Sequence, residues 1–458
     1  MTLPLALLLA YSALLVAIGL WIGRRARAGD FFVAGRTLGP GLLFGSFLAA
    51  NIGASSTVGA TSLAYNEGLS AWWWNGSAGI GSLVLAFWVG PRMWREAMAH
   101  GDLTLGDFLE RRYGRTMRGL VGVLIWLGTL SILAAQLLGV AAVLRIVGGY
   151  SMLTGCLVGA LVTAAYFVAG GLLSSVWVNL VQIVVIVAGF GIATYAALGS
   201  AGGWTAMAAD AGPRMDWLAS SGPASGWRLL FLLGPAFIVS PGLIQRAYAA
   251  RSERAVTRGI ALNGVALLVF ACAPAIIGLA ARQLAPDLPN ADLALPTLLS
   301  TVLPPAIGSL ALAAVFSAEV SSADAVLFML ATSASRDLYR GFVNPSATER
   351  DVLRVARGAA IAGAACGVAV AMAYGSVRAA VSVFYAILTV TLFVPVIGAQ
   401  VAVRTSRTEG LASVLAGVTF LLLTHFLTGG RGYGVVSPAL AGVGASAVAF
   451  ATVRVVRG

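Results

Sequence analysis

Lysine is absent from this chain, and all 29 Lys-or-Arg positions are arginine. Acidic residues number 17, histidines two, and charged residues make up 10% of 458. A soluble domain carries about 25% charged residues, so a surface this poor in charge excludes an ordinary water-soluble globule. The three cysteines, Cys156, Cys272 and Cys366, are scattered through apolar stretches, which excludes a disulfide frame and a cysteine metal cluster. His100 and His425 stand alone, without the grouped acids, bases or metal ligands that a membrane-embedded enzyme needs. A glycine-rich phosphate cradle ahead of a Lys or Ser/Thr is also lacking, which argues against ATP-driven transport. No catalytic residues are therefore expected, and no nucleic-acid partner despite the net charge of +12.

What is present is apolar: 59% of residues are hydrophobic and the mean hydropathy is +0.91. Stretches able to cross about 30 Å of hydrocarbon as helices recur from end to end. Spans are expected at 2–23, 40–65, 69–94, 117–147, 150–169, 171–199, 227–248, 256–283, 304–335, 353–374, 376–404, 408–428 and 433–455, about thirteen in all. The first has no basic residue before it and no small-residue cleavage site after it, so it reads as a retained helix. Arginines crowd the loops after the first, third, seventh, ninth and eleventh spans and the C-terminal tail. The loops at 200–226 and 284–303 are poor in arginine and hold Asp210, Asp216, Asp287 and Asp292. Basic loops face the cytoplasm, so the alternation predicts a multi-pass cell-membrane protein with its N-terminus outside and its C-terminus in the cytoplasm.

Two spans are irregular. Ala49-Ala50-Asn51-Ile52-Gly53-Ala54-Ser55-Ser56-Thr57 interrupts 40–65, and Val239-Ser240-Pro241-Gly242 interrupts 227–248. Small, polar and helix-breaking residues in mid-membrane free backbone groups that must find partners, which is tolerated where they line a cavity or bind an ion. The two spans are five helices apart and run in opposite senses. They open two inverted five-helix repeats, 40–199 and 227–404, with accessory helices at 2–23 and 408–455, all within a single membrane domain spanning 1–458. Interrupted helices at matching positions of two halves point to a transporter's central site.

Five ordered blocks then carry a family resemblance: 30–39 (DFFVAGRTLG), 104–113 (TLGDFLERRY), Gly170-Gly171 with Trp177-Val178-Asn179-Leu180-Val181-Gln182, Gln245-Arg246, and Ser335-Arg336-Asp337-Leu338-Tyr339. Together they resemble the sodium/solute symporter family over nearly the whole chain. The resemblance implies an all-α LeuT-like fold, with a five-plus-five inverted repeat, one extra N-terminal helix and two extra C-terminal helices.

It also implies a main sodium site on Ala49, Ile52, Ala318, Ser321 and Ser322. The chemistry agrees, because sodium is a hard cation suited by carbonyls freed at a helix break and by hydroxyls. At about 100° per residue, positions 318, 321, 322 and 325 share one helix face; alternatively, the serines bond back to their own helix. Some family members hold a second sodium with an acid where this chain has Asn179. Here Asp324, beyond the serine pair, is the candidate for the relocated charge, so Asn179 and Asp324 form a candidate second cation or proton site; packing is the competing role. Glu319 has no assigned role at this stage. In this fold the solute lies beside the breaks, near Ser55, Ser56, Gln136 and Phe237 with Trp72, Trp73 or Trp74, of which Trp74 is the choice.

The expected function is sodium-coupled import of a small polar organic solute, of the amino acid, carboxylate, vitamin-like acid or urea class, by alternating access. A proton-coupled symporter, or a solute-gated channel or sensor on the same fold, is the alternative. Sodium, solute and lipid bilayer are the expected partners, and a monomer the expected working unit.

Overall fold

The computed structural model describes residues 3–23, 34–219, 225–402, 404–434 and 436–457. Arg24, Arg25, Arg27 and positions 30–33 of the first family block lie outside these. Among the described residues there are helices and no strand, only isolated bridges at Leu38–Ala250 and Tyr433–Val436.

The helices follow in order: α1 Leu3–Gly23, α2 Pro40–Asn51, α3 Ser55–Glu67, α4 Trp72–Val84, α5 Gly90–His100 and α6 Leu105–Tyr113. Then come α7 Arg115–Gly148, α8 Met152–Ser200, α9 Gly203–Ala211, α10 Gly226–Ile238, α11 Pro241–Tyr248, α12 Glu253–Phe270 and α13 Cys272–Leu284. The last six are α14 Ala294–Val302, α15 Pro305–Thr332, α16 Glu349–Ala373, α17 Val377–Val401, α18 Arg407–Thr428 and α19 Pro438–Arg457. Among the described residues nine helices are long and apolar enough to cross a membrane, ten if the bent pair α2–α3 counts as one. Two shorter apolar helices, Ala6–Ile22 and Met152–Ala165, fall at the first and fifth expected spans.

The expected boundary between the fifth and sixth spans does not appear. Backbone stays helical from Met152 to Ser200. Glycine permits a left-handed turn without forcing one.

Both expected breaks are there, but they differ in depth. The α2 helix stops at Asn51, Ile52 turns extended (φ −93°, ψ 95°), and α3 leaves at 62° to α2. Its first turn, Ser55–Gly59, is π-helical, a form that recurs at functional sites. At the second break only Val239 and Ser240 leave the helix, and Pro241 takes the first position of α11, where its missing N–H costs nothing. Those halves stay close enough in line that Gly226–Tyr248 counts as one span.

α7 and α15 lie in the interior, packed against each other and against α8, and α15 also meets α2. α18 and α19 pack mainly on each other at the periphery. At the Arg-rich end the two broken helices are tied together, with the Leu38 N–H donating to Ala249 O and the Arg251 N–H to Leu38 O, both at 3.0 Å. The same end carries an ion-pair cluster. Arg118 of α7 meets Asp107 at 2.9 Å, Glu110 at 2.6 Å and Asp337 at 3.1 Å. The Thr104 hydroxyl, which caps α6, also donates to Asp337 at 2.7 Å. Burial raises the Asp102 carboxyl in the adjoining loop against the pull of its Arg111 partner.

Candidate functional site

At the α2–α3 break the helix ladder loses two donors. In unbroken helix the N–H groups of Gly53 and Ala54 would bond the carbonyls of Ala49 and Ala50. Instead the Gly53 N–H donates to Ser56 Oγ at 2.9 Å and the Ala54 N–H to Gln136 Oε1 at 2.7 Å. α15 brings hydroxyls to the freed carbonyls. Ser321 Oγ–H lies 2.9 Å from both Ala49 O and Ala318 O. Ser322 Oγ–H lies 3.3 Å from Ala49 O and 3.0 Å from Ala50 O. Four of the five expected sodium ligands therefore meet, fully buried. The fifth, Ile52, is buried in the extended turn itself.

This donor set is all oxygen and uncharged, and among the described residues no group of three or more His, Cys, Asp or Glu could hold a metal. Neutral oxygens suit a monovalent hard cation and disfavour a tightly held divalent one, whose sites use carboxylates. The close approach depends on Gly53. A Cβ there would fall 2.2 Å from Ser322 Oγ and 2.6 Å from Gln136 Oε1.

The second pair of expected residues sits between α8 and α15. Asp324 Oδ2 accepts from the Ser175 hydroxyl, one turn before Asn179 on α8. Asp324 Oδ1 and both amide atoms of Asn179 have no hydrogen-bond partner among the described residues, and both side chains are fully buried. Such unsatisfied groups are rare in native interiors and call for an explanation.

A small cavity lies beside the first break. Of the expected solute residues, Ser55, Gln136 and Phe237 line it, together with Asn51, Ser240, Ser322, Phe384 and Tyr385. Ser56 does not line it, because its hydroxyl turns back to cap the break, on Asn51 O at 2.8 Å. Trp74 packs behind the lining, its ring 6.5 Å from that of Tyr385. Trp72 and Trp73 pack at tilted angles against Trp217, and the Trp73 indole donates to Trp217 O.

Arg246 and Tyr385 enter the site unannounced. Arg246 lines the cavity, fully buried, with its guanidinium on Ser46 and 5.9 Å from the Phe328 ring centroid. The signal for it was Gly242, one turn earlier on α11 and also in the lining. Tyr385 shares a hydrogen bond with Ser55, and only its place on α17 shows it.

The model of the sodium:solute symporter family matches residues 31–417. The chain is similar to the sodium/glucose cotransporter of Vibrio parahaemolyticus, at 26% identity over 77% of this chain and 71% of that one. It is likewise similar to the sodium/pantothenate symporter of Escherichia coli, at 25% identity over 72% and 71%. The high-affinity proline transporter of Bacillus subtilis matches at 23% identity over 74% of each chain. In fold it resembles a Na+-coupled sialic acid symporter solved in a substrate-bound outward-open state, with a TM-score of 0.85 at 17% identity over 99% of this chain and 98% of that one. The fold is thus LeuT-like and all-helical.

Proposed function

Because this chain belongs to the sodium:solute symporter family, and is a sodium-coupled secondary transporter of a small solute and not an enzyme, we propose that it imports a small organic carboxylate. Sodium is the coupling ion. The proposed sodium ligands are the carbonyls of Ala49, Ile52 and Ala318 and the hydroxyls of Ser321 and Ser322. One observation carries this assignment: the donors that would occupy the carbonyls of Ala49 and Ala50 are diverted, and two serine hydroxyls approach instead. When sodium enters, each hydroxyl turns its proton away and offers a lone pair.

Among the amino acid, carboxylate, vitamin-like acid and urea classes, a carboxylate-bearing solute is favoured over neutral urea because Arg246 lines the cavity. A buried guanidinium is a functional group by default; this one also acts electrostatically on the Asp324 carboxylate, and its forked donors suit a solute carboxylate at the cavity. Ser55, Gln136 and Asn51 supply neutral hydrogen bonds, while Phe237, Phe384 and Tyr385 wall the cavity from water. Asn179, Ser175 and Asp324 form the proposed second cation or proton site, supported by the unpartnered atoms of Asn179 and Asp324. The repeats at 40–199 and 227–404 move against each other about the fixed site. The Arg-rich end faces the cytoplasm, with the N-terminus outside and the C-terminus inside, and the working unit is a monomer.

The test is uptake of labelled solutes in matched pairs, each carboxylate against its amide or alcohol, with sodium and with N-methylglucamine. Sodium-stimulated uptake of the acids alone supports the reading. Equal uptake of acid and amide overturns the carboxylate assignment.

A further inference from the structure

Glu319 takes part in neither the solute cavity nor the first sodium site. A carboxylate in mid-membrane is expensive and is a functional residue by default. Its side chain is fully buried, and none of the ion pairs among the described residues reaches it. Oε1 accepts from the Thr57 hydroxyl at 2.7 Å. Oε2 has no hydrogen-bond partner among the described residues. The Thr57 hydroxyl also lies 2.9 Å from Gly53 O. A hydroxyl has one proton, so it cannot serve both acceptors at once. The carboxylate, with about four lone-pair directions, has at most this one donor among the described residues.

The space around it is specific. A Cβ on Gly139 of α7 would fall 2.7 Å from both Ala54 Cβ and Glu319 Oε2, and 2.8 Å from Glu319 Cδ. Residue 139 can carry no side chain while Ala54 and the carboxylate stay where they are. The cluster is set against the same helix break as the first site. Glu319 precedes Ser322 by three residues on α15 and so shares its face, on the side nearer the proposed exterior.

We propose that Glu319, the Thr57 hydroxyl and the Gly53 carbonyl form a further sodium site, distinct from the Ser321–Ser322 site and from Asp324. One carboxylate among neutral oxygens matches a monovalent cation, whose charge replaces the counter-ion that Glu319 lacks. Gly53 links the two sites at the break. Its carbonyl faces Thr57, while its Cα packs on Ser322. Sodium in the outer site thereby fixes the backbone that presents Ala49 and Ala50 to the inner one. The proposal relies on sodium coupling, but not on the assignment of the inner ligands.

Binding of 22Na+ to the purified chain, without solute, tests it. Glu319→Gln should bind one ion fewer per chain than the wild type. Gly139→Ala and Thr57→Val should keep the ion count at saturation but raise the half-saturating sodium for one ion about tenfold. Ser321→Ala should weaken a different ion, leaving the ion that is lost in Glu319→Gln still bound. A full wild-type ion count in Glu319→Gln overturns the proposal. Should that variant not purify as a single species, unchanged isotherms in both Gly139→Ala and Thr57→Val overturn it equally. If Glu319→Gln loses an ion while Ser321→Ala changes nothing, the outer site stands and the inner ligands are wrong.

Discussion

Replacing Ser321 or Ser322 with alanine removes one oxygen from a site of about five and leaves its other ligands in place. Ser321 Oγ sits 2.9 Å from two carbonyls and Ser322 Oγ at 3.0 and 3.3 Å from two. Without sodium each hydroxyl is an ordinary donor, and its loss costs about 1 kcal/mol of fold stability. With sodium it becomes a ligand to a charge, where such contacts are worth about 1.5–3 kcal/mol. The sodium dissociation constant should therefore rise by the difference, about 0.5–2 kcal/mol, or roughly 2- to 30-fold in each variant. Thermal unfolding titrated with NaCl against N-methylglucamine chloride measures this without a known solute. Sodium at 100 times its dissociation constant stabilises the wild type by about 2.7 kcal/mol, and a tenfold weaker site gives up about 1.4 kcal/mol of that. A lower sodium-free melting temperature with an unchanged sodium response in both variants would refute the reasoning. The hydroxyls would then only tie α15 to the break.

Gly53→Ala should abolish sodium-driven uptake, since its Cβ would lie 2.2 Å from Ser322 Oγ and overpacking at such a site costs about 1–3 kcal/mol or more; uptake at wild-type sodium affinity would contradict the close approach. Asp324→Asn should lower the charge moved per solute by one in proteoliposome current measurements, and adding Asn179→Asp should restore it. Arg118→Ala leaves Asp337 without its cation at the Arg-rich end, so stability should fall by about 3–5 kcal/mol. Adding Asp337→Asn should recover much of that loss in the same melting assay.

The helical membrane architecture was legible because apolar length is a direct record of the bilayer. The break at Asn51–Thr57 was legible for a similar reason, since small and polar residues in mid-membrane have few other uses. Other features depend on backbone that residue types alone do not decide. Gly170-Gly171 could have turned the chain and did not. Ser56 and Ser55 are neighbours of the same type, yet one caps the break and the other faces the cavity. Gln136, read as a solute ligand, spends its carbonyl oxygen on the Ala54 N–H. Arg246 stood in plain view beside Gln245, but only the packing of α11 against α2 brings it to the cavity. Glu319 needed Thr57, Gly53 and Gly139, which lie far from it in sequence and meet only in the folded bundle.

The central claim is that sodium entry drives solute entry. The direct measurement uses purified protein in liposomes, a labelled carboxylate from the uptake panel, and an inward gradient of sodium or of N-methylglucamine. The solute should rise inside above its external concentration under the sodium gradient alone, and Ser321→Ala should shift the sodium requirement upward. Accumulation that is the same under both gradients, or that stops at equal concentrations on the two sides, would contradict it.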